Sequence, residues 1–214
     1  MYYLLKWLKG LLRLENINAI MGSLKRRIFK LSFLEMRIML NSGAVPFRPL
    51  DGVKIKGYSE HLENECIELL NSVGSLGLWN RSRFQKDILS SVEAVKQDIF
   101  IVDSDNSVVG FAVIHKKAAT GNTREIGYVA VRPESRGKKL GYKLLMYILA
   151  EMKRRNIDSA YLRTDSFRLP AIKTYLKCGF YPHVKNENEK RRWQDALDKA
   201  NGKPDQKNNE IMKG

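Results

Sequence analysis

The sequence predicts an α+β fold, a mixed and mostly antiparallel sheet with helices on both of its faces. Three observations carry that expectation. Strand-like and helix-like stretches succeed one another as strand, helices, three strands, helix, strand, helix, strand. Two of the strands, 98–103 and 108–115, are apolar runs joined by the polar SDNS, a hairpin signal. A third, 124–131, passes through a turn bearing proline and glycine into a long stretch with apolar residues at helical spacing.

In order, VKIKGY at 53–58 alternates as a strand does. A helix starts at Ser59 or Glu60, with Leu62, Cys66, Leu69, Leu70 and Val73 on one face. NSVGSLGLWN at 71–80 is a glycine-bearing loop containing Trp79, and 81–90 reads as a short helix. After the hairpin, a TGNT turn leads into 124–131. Leu140, Leu144, Leu145 and Ile148 define the long helix, which closes on Lys153, Arg154 and Arg155 near its negative end. A strand at 159–164, a helix at 169–177 and a strand at 179–184 complete the sheet. Pro170 suits the first turn of that helix and Gly179 its C-terminal end. No further strand is evident. The charged stretch 186–201 reads as a helix and 202–214 as a disordered tail.

The chain of 214 residues suits one domain of average size with additional length at its ends. The domain is expected over 51–185, after an N-terminal extension over 1–45 and before a tail over 186–214. From Met1 to Leu14, the leucines and Trp7 fall on one side of a helical wheel, and Lys6, Lys9 and Arg13 on the other. That is the pattern of a cationic membrane-surface helix, too broken by charge to span a bilayer. Packing on the domain, or pairing with a second chain as in a homodimer, is the other reading of this stretch. LKRRIFKLSFLEMRIML at 24–40 is again basic and apolar, with a less regular pattern.

Cys66 and Cys178 are far apart, lack metal-ligand spacing and fall on apolar helical positions, so no metal site is expected. Free thiols fit a reducing, cytoplasmic setting, at the inner face of a membrane if the N-terminal stretch binds one. A net charge of +15 attracts anions. Aromatic residues do not interleave with the basic runs, which argues against nucleic acid as the main partner.

The stretch VAVRPESRGKKLG, from Val129 to Gly141, is where chemistry is expected. Pro133 ends the strand, since it has no N–H for the ladder. Arg136 and Gly137 open a turn that leads into a helix. The first amides of a helix have no internal partner and its dipole favours an anion, so this is a place to hold a phosphate. Arg136, Lys138 and Lys139 add charge of the matching sign.

RGKKLG resembles the pyrophosphate loop of the GNAT (GCN5-related N-acetyltransferase) superfamily, in which Arg or Gln precedes two glycine positions. Arg136 and Gly141 match its ends, and Lys139 stands where the family usually has its middle glycine. VAVRPESRG and YLRTDSFRLPAIKTYLKCGF match in type and order. The second of these looks closest to mycothiol-synthase-like GNAT domains, and the chain has length for one such domain. The resemblance implies the GNAT acyl-CoA N-acyltransferase fold and transfer of an acetyl group from acetyl-CoA to a primary amine, on a small molecule or a peptide. It also admits a non-catalytic, CoA-binding regulatory module.

By that resemblance, Arg136, Gly137, Lys138, Lys139, Leu140 and Gly141 surround the pyrophosphate. Val129 and Val131 run beside the pantetheine arm, and the N–H of Val129 or Ala130 donates to the oxyanion. Tyr175 matches the tyrosine of the AxxxYxxxGF signature formed by Ala171, Tyr175, Gly179 and Phe180, and is the expected proton donor. Asp165 stands where the family often has a cofactor-contacting asparagine; capping a helix that begins near Phe167 is the other reading. The loop at 71–80 covers the acceptor pocket, with Trp79 either lining it or pinning the loop to the core. For the base, Glu125 comes first and His115 second, and many enzymes of this type use no dedicated base.

Overall fold

The computed structural model describes residues 33–41, 54–104, 107–116 and 121–201. Residues 1–32, with the Met1 to Leu14 stretch, residues 42–53, the centre of the SDNS turn at 105–106, residues 117–120 at the start of the TGNT turn and the tail from 202 lie outside them. The strands are β1 (Leu34–Met39), β2 (Lys54–Gly57), β3 (Ile99–Ser104), β4 (Ser107–His115), β5 (Thr123–Val131), β6 (Ser159–Thr164) and β7 (Tyr181–His183). The helices are α1 (Glu63–Ser72), α2 (Arg81–Asp87), the single turn α3 (Val95–Asp98), α4 (Leu140–Arg154), α5 (Leu169–Lys177) and α6 (Glu187–Ala200).

The strands make one sheet in the order β2-β3-β4-β5-β6-β1-β7, antiparallel at every pairing except β5 with β6. This is the mixed, mostly antiparallel α+β architecture expected. One face carries α4, α5 and α6 over a core that includes Ala112, Ile126, Leu144, Leu149, Leu162 and Trp193. The other carries α1 and α2 over Ile99, Ile101, Phe111, Val113 and Ala130. Alternate residues of each central strand serve opposite cores, as the two-residue repeat requires. Both cysteines are buried and unpaired within these cores. No helix among the described residues is long and apolar enough to cross a membrane.

β1 corrects the expected domain boundary. Residues 34–39 fall in the stretch expected to be an N-terminal extension, but they lie inside the sheet, between β6 and β7. Leu34, Met36, Ile38 and Leu40 are at most 3% exposed and pack under α4 and α5. A strand that the sequence does not reveal after Val184 is thus supplied from ahead of the domain. A second addition is α6, which buries Trp193 and Ala196 in the same core and so packs onto the domain.

Two irregularities in β5 shape the space beside it. It pairs with β6 only over Thr123, Arg124 and Glu125, and then the two strands part. On its other side the register shifts: Gly127 faces Val113 and Ala130 faces Phe111. Tyr128 and Val129 therefore share Ala112 as their only counterpart, a β-bulge. Tyr128 takes the left-handed conformation there, with φ 53°.

Candidate active site

Where β5 and β6 separate, a cleft of about 560 Å³ opens between them. Val129 forms one wall; Thr164, Asp165, Arg168 and Tyr175 form the other. Arg132 donates its N–H to the Val109 carbonyl of β4 at 2.9 Å. Successive strand amides alternate in direction, so those of Val131 and Val129 point away from β4, into the side that β6 has left. Of the two expected oxyanion donors, the alternation retains Val129. The Ala130 N–H turns toward β4, and its side chain is buried in the core beneath α1.

Beyond β5 the chain makes a 3-10 turn at Pro133–Ser135, then Gly137 at φ 81° and Lys139 at φ 58°, and enters α4. The first amide of α4 to reach a backbone carbonyl is that of Lys143, bonded to Lys139 at 3.0 Å. The amides of residues 137–142 find no carbonyl acceptor among the described residues. A side chain added at Gly137 would meet nothing within 4 Å, so the space before the turn is open. Six amides, the α4 dipole and the Arg136, Lys138 and Lys139 side chains are the donor set a diphosphate needs. Lys139 adopts the left-handed geometry without being glycine, so its departure from the family pattern leaves the turn intact.

Tyr175 is 4% exposed, and its ring reaches the cleft wall from α5. Burial raises its pKa above the ordinary phenol value, with Arg168 pulling weakly the other way, so the phenol keeps its proton at neutral pH. α5 ends as expected: the Phe180 amide bonds back to the Tyr175 carbonyl at 3.1 Å and Gly179 takes φ 93°. Asp165 is buried at 4% and lines the cleft. α5 begins at Leu169, with Arg168 rather than Asp165 as its N-cap residue. The Asp165 carbonyl instead accepts the Arg168 amide at 3.0 Å.

Trp79 also departs from one of its two readings. It is not on the cleft wall. It lies behind it at 5% exposure, with its indole edge against Tyr128 and the Arg83 guanidinium 4.0 Å from its ring centre. Arg83 and Tyr128 line the cleft, and Trp79 supports both.

Glu125 lines the cleft but is already engaged. Its Oε1 accepts from Arg163 Nε at 2.8 Å and its Oε2 from the Tyr161 hydroxyl at 3.0 Å. Both oxygens of this carboxylate are thus taken up by donors on the neighbouring strand. Burial, then the Glu125 charge, push the Tyr161 phenol up to about 12. His115 lines the cleft as well, and burial lowers its pKa below the ordinary imidazole value.

Arg163, Arg168 and Ser91 line the cleft and are absent from the site that sequence reasoning predicts. Two of them carry a signal. Arg163 alternates with the core residues Ala160 and Leu162, so it shares the face of Glu125. Arg168 precedes Tyr175 by seven residues, two helical turns.

The family model described as the acetyltransferase (GNAT) family matches residues 61–180. The chain belongs to the GNAT acetyltransferase family. Acyl transfer is therefore the general chemistry of its relatives. The GNAT chain is 33% identical to the mycothiol acetyltransferase of Thermobispora bispora over 85 residues, 38% of this chain and 29% of that protein. It thus spans less than a third of that curated relative. Among solved structures it resembles a GCN5-related N-acetyltransferase from Sphaerobacter thermophilus (TM-score 0.59, 18% identity, 75% of this chain and 53% of that one). It also resembles the ribosomal-protein-S18-alanine N-acetyltransferase of Escherichia coli (TM-score 0.52, 16% identity, 62% and 80%). At these identities the two structures show a shared GNAT fold.

Proposed function

We propose that this GNAT domain transfers an acetyl group from acetyl-CoA to a primary amine, with both substrates bound together. The observation that carries this reading is the parting of β5 from β6, which leaves inward N–H groups at Val129 and Val131 and leads to six unengaged amides at residues 137–142. Acetyl-CoA, when bound, supplies an acetyl group activated as a thioester. The turn amides, with Arg136, Lys138 and Lys139, hold its pyrophosphate. Val129 and Val131 extend β5 toward its amide-bearing arm in the manner of an added strand. The Val129 N–H then donates to the acyl oxygen as negative charge builds there. Tyr175 holds the proton that the leaving sulfur requires.

Release of free thiol from acetyl-CoA, measured across a panel of amines, tests the reaction. Turnover with at least one amine is expected, with Tyr175→Phe lowering kcat about 10²- to 10⁴-fold while acetyl-CoA still binds in calorimetry. Absence of acetyl-CoA binding by the wild-type chain rejects the proposal. Binding without turnover in either form favours the regulatory-module reading instead.

A further inference from the structure

We infer that the catalytic base is His115, acting through Nε2, and that Ser91 is the positioning residue that makes Nε2 the basic nitrogen. This assignment rests on the acetyl-transfer reading and supplies the proton acceptor that reading leaves open.

A single hydrogen decides between the two ring nitrogens. The Ser91 Oγ lies 2.7 Å from the Ile88 carbonyl oxygen and 2.8 Å from His115 Nδ1. A carbonyl can only accept, so the one hydroxyl proton of Ser91 is committed to Ile88. Toward His115 the same oxygen must accept, and Nδ1 must therefore carry the hydrogen. In the neutral ring that leaves the lone pair on Nε2. Nε2 points across to β5, into the space left by the missing side chain of Gly127; a Cβ there would collide with it. Both residues line the cleft.

The surroundings keep the imidazole neutral. Burial acts first to lower its pKa; the Glu125 charge on β5 raises it and Arg163 on β6 lowers it. Glu125 and Arg163 are paired with each other, so their fields largely cancel. Tyr128 packs edge-on at 5.5 Å and is itself kept protonated by burial. Lys116, next along the chain from His115, also lines the cleft.

In the transfer, a proton leaves the ammonium of the acceptor for Nε2, and the electron pair stays on nitrogen. That pair attacks the carbonyl carbon to form the new C–N bond; as the C–S bond breaks, the nitrogen gives its surplus proton to water and the sulfur takes the proton of Tyr175. The imidazolium, still donating from Nδ1 to Ser91, returns its proton to water, and the phenolate of Tyr175 regains one from water.

The test combines spectroscopy with pH profiles on the full chain. In ¹⁵N-detected NMR above pH 7, His115 should show protonated Nδ1 and unprotonated Nε2. Ser91→Ala should mix the two tautomers, and Ser91→Thr should restore the first. In kcat/KM against pH, the acidic limb should fall below about pH 6.5, vanish in His115→Asn and persist in Glu125→Gln. Ser91→Ala should reduce kcat about three- to thirtyfold, with acetyl-CoA affinity held within about twofold as evidence of an intact fold. A protonated Nε2 in the wild-type chain, or an acidic limb that survives in His115→Asn, overturns the inference. The tautomer is read without turnover, so loss of the acetyl-transfer reading alone would be seen separately, as absent acetyl-CoA binding.

Discussion

The indole of Trp79 meets the ring of Tyr128 edge-on, with centroids 4.9 Å apart and planes at 89°. Tyr128 is the bulged residue of β5 and holds φ 53°, a conformation that costs an ordinary residue about 1–2 kcal/mol. Packing of the Tyr128 ring against both Trp79 and His115 offsets that cost and fixes the bulge. Trp79→Ala should therefore destabilise the domain by about 3–5 kcal/mol in urea titrations. In acetyl-CoA binding it should cost more than a loop residue outside the cleft wall otherwise would, because the wall it supports relaxes.

His115 makes stability depend on pH with a definite sign. Its folded pKa lies below the ordinary imidazole value, so the unfolded chain binds more protons in the interval between the two. The neutral ring's contribution is present in full above about pH 6.5 and is lost as pH falls toward the folded pKa. Unfolding free energies at pH 8 and pH 5 should differ more for the wild-type chain than for His115→Asn.

Lys139 offers a stabilising change. It enters α4 at φ 58°, where only glycine is free of strain. Lys139→Gly should raise stability by about 0.5–1 kcal/mol once the greater freedom of glycine in the unfolded chain is counted. A rise in thermal midpoint with an unchanged far-ultraviolet spectrum is the expected result.

Met36 tests the placement of β1. It is fully buried under α4 and α5, opposite Leu162 of β6 and Pro182 of β7. Met36→Ala should cost about 2–5 kcal/mol, measured by chemical denaturation. A residue in a detached extension would show no such loss.

These residues also mark what is legible in the sequence. α5 is found at Leu169–Lys177 as expected because Pro170, Gly179 and the apolar spacing between them are local signals. The strand, turn and helix around residues 129–141 carry equally local marks. β1 does not, although LEMRIM alternates as a strand should: the basic run before it resembles a helical face, and its partners lie more than a hundred residues away. Glu125 and His115 cannot be ranked from spacing. Their order depends on Arg163 and Ser91, which only the register of β6 and the course of the chain after α2 bring near. Trp79 is undecided in the sequence for the same reason, since an indole beside a cleft and one behind it look alike there.

The placement of β1 also bears on how the chain matures. As the ribosome releases it, the segment that joins β6 to β7 emerges long before either neighbour. Contacts this far apart form slowly, because a long loop must close before they repay it. A half-made chain has no cleft, and its nascent β1 has only solvent or a chaperone against its apolar side.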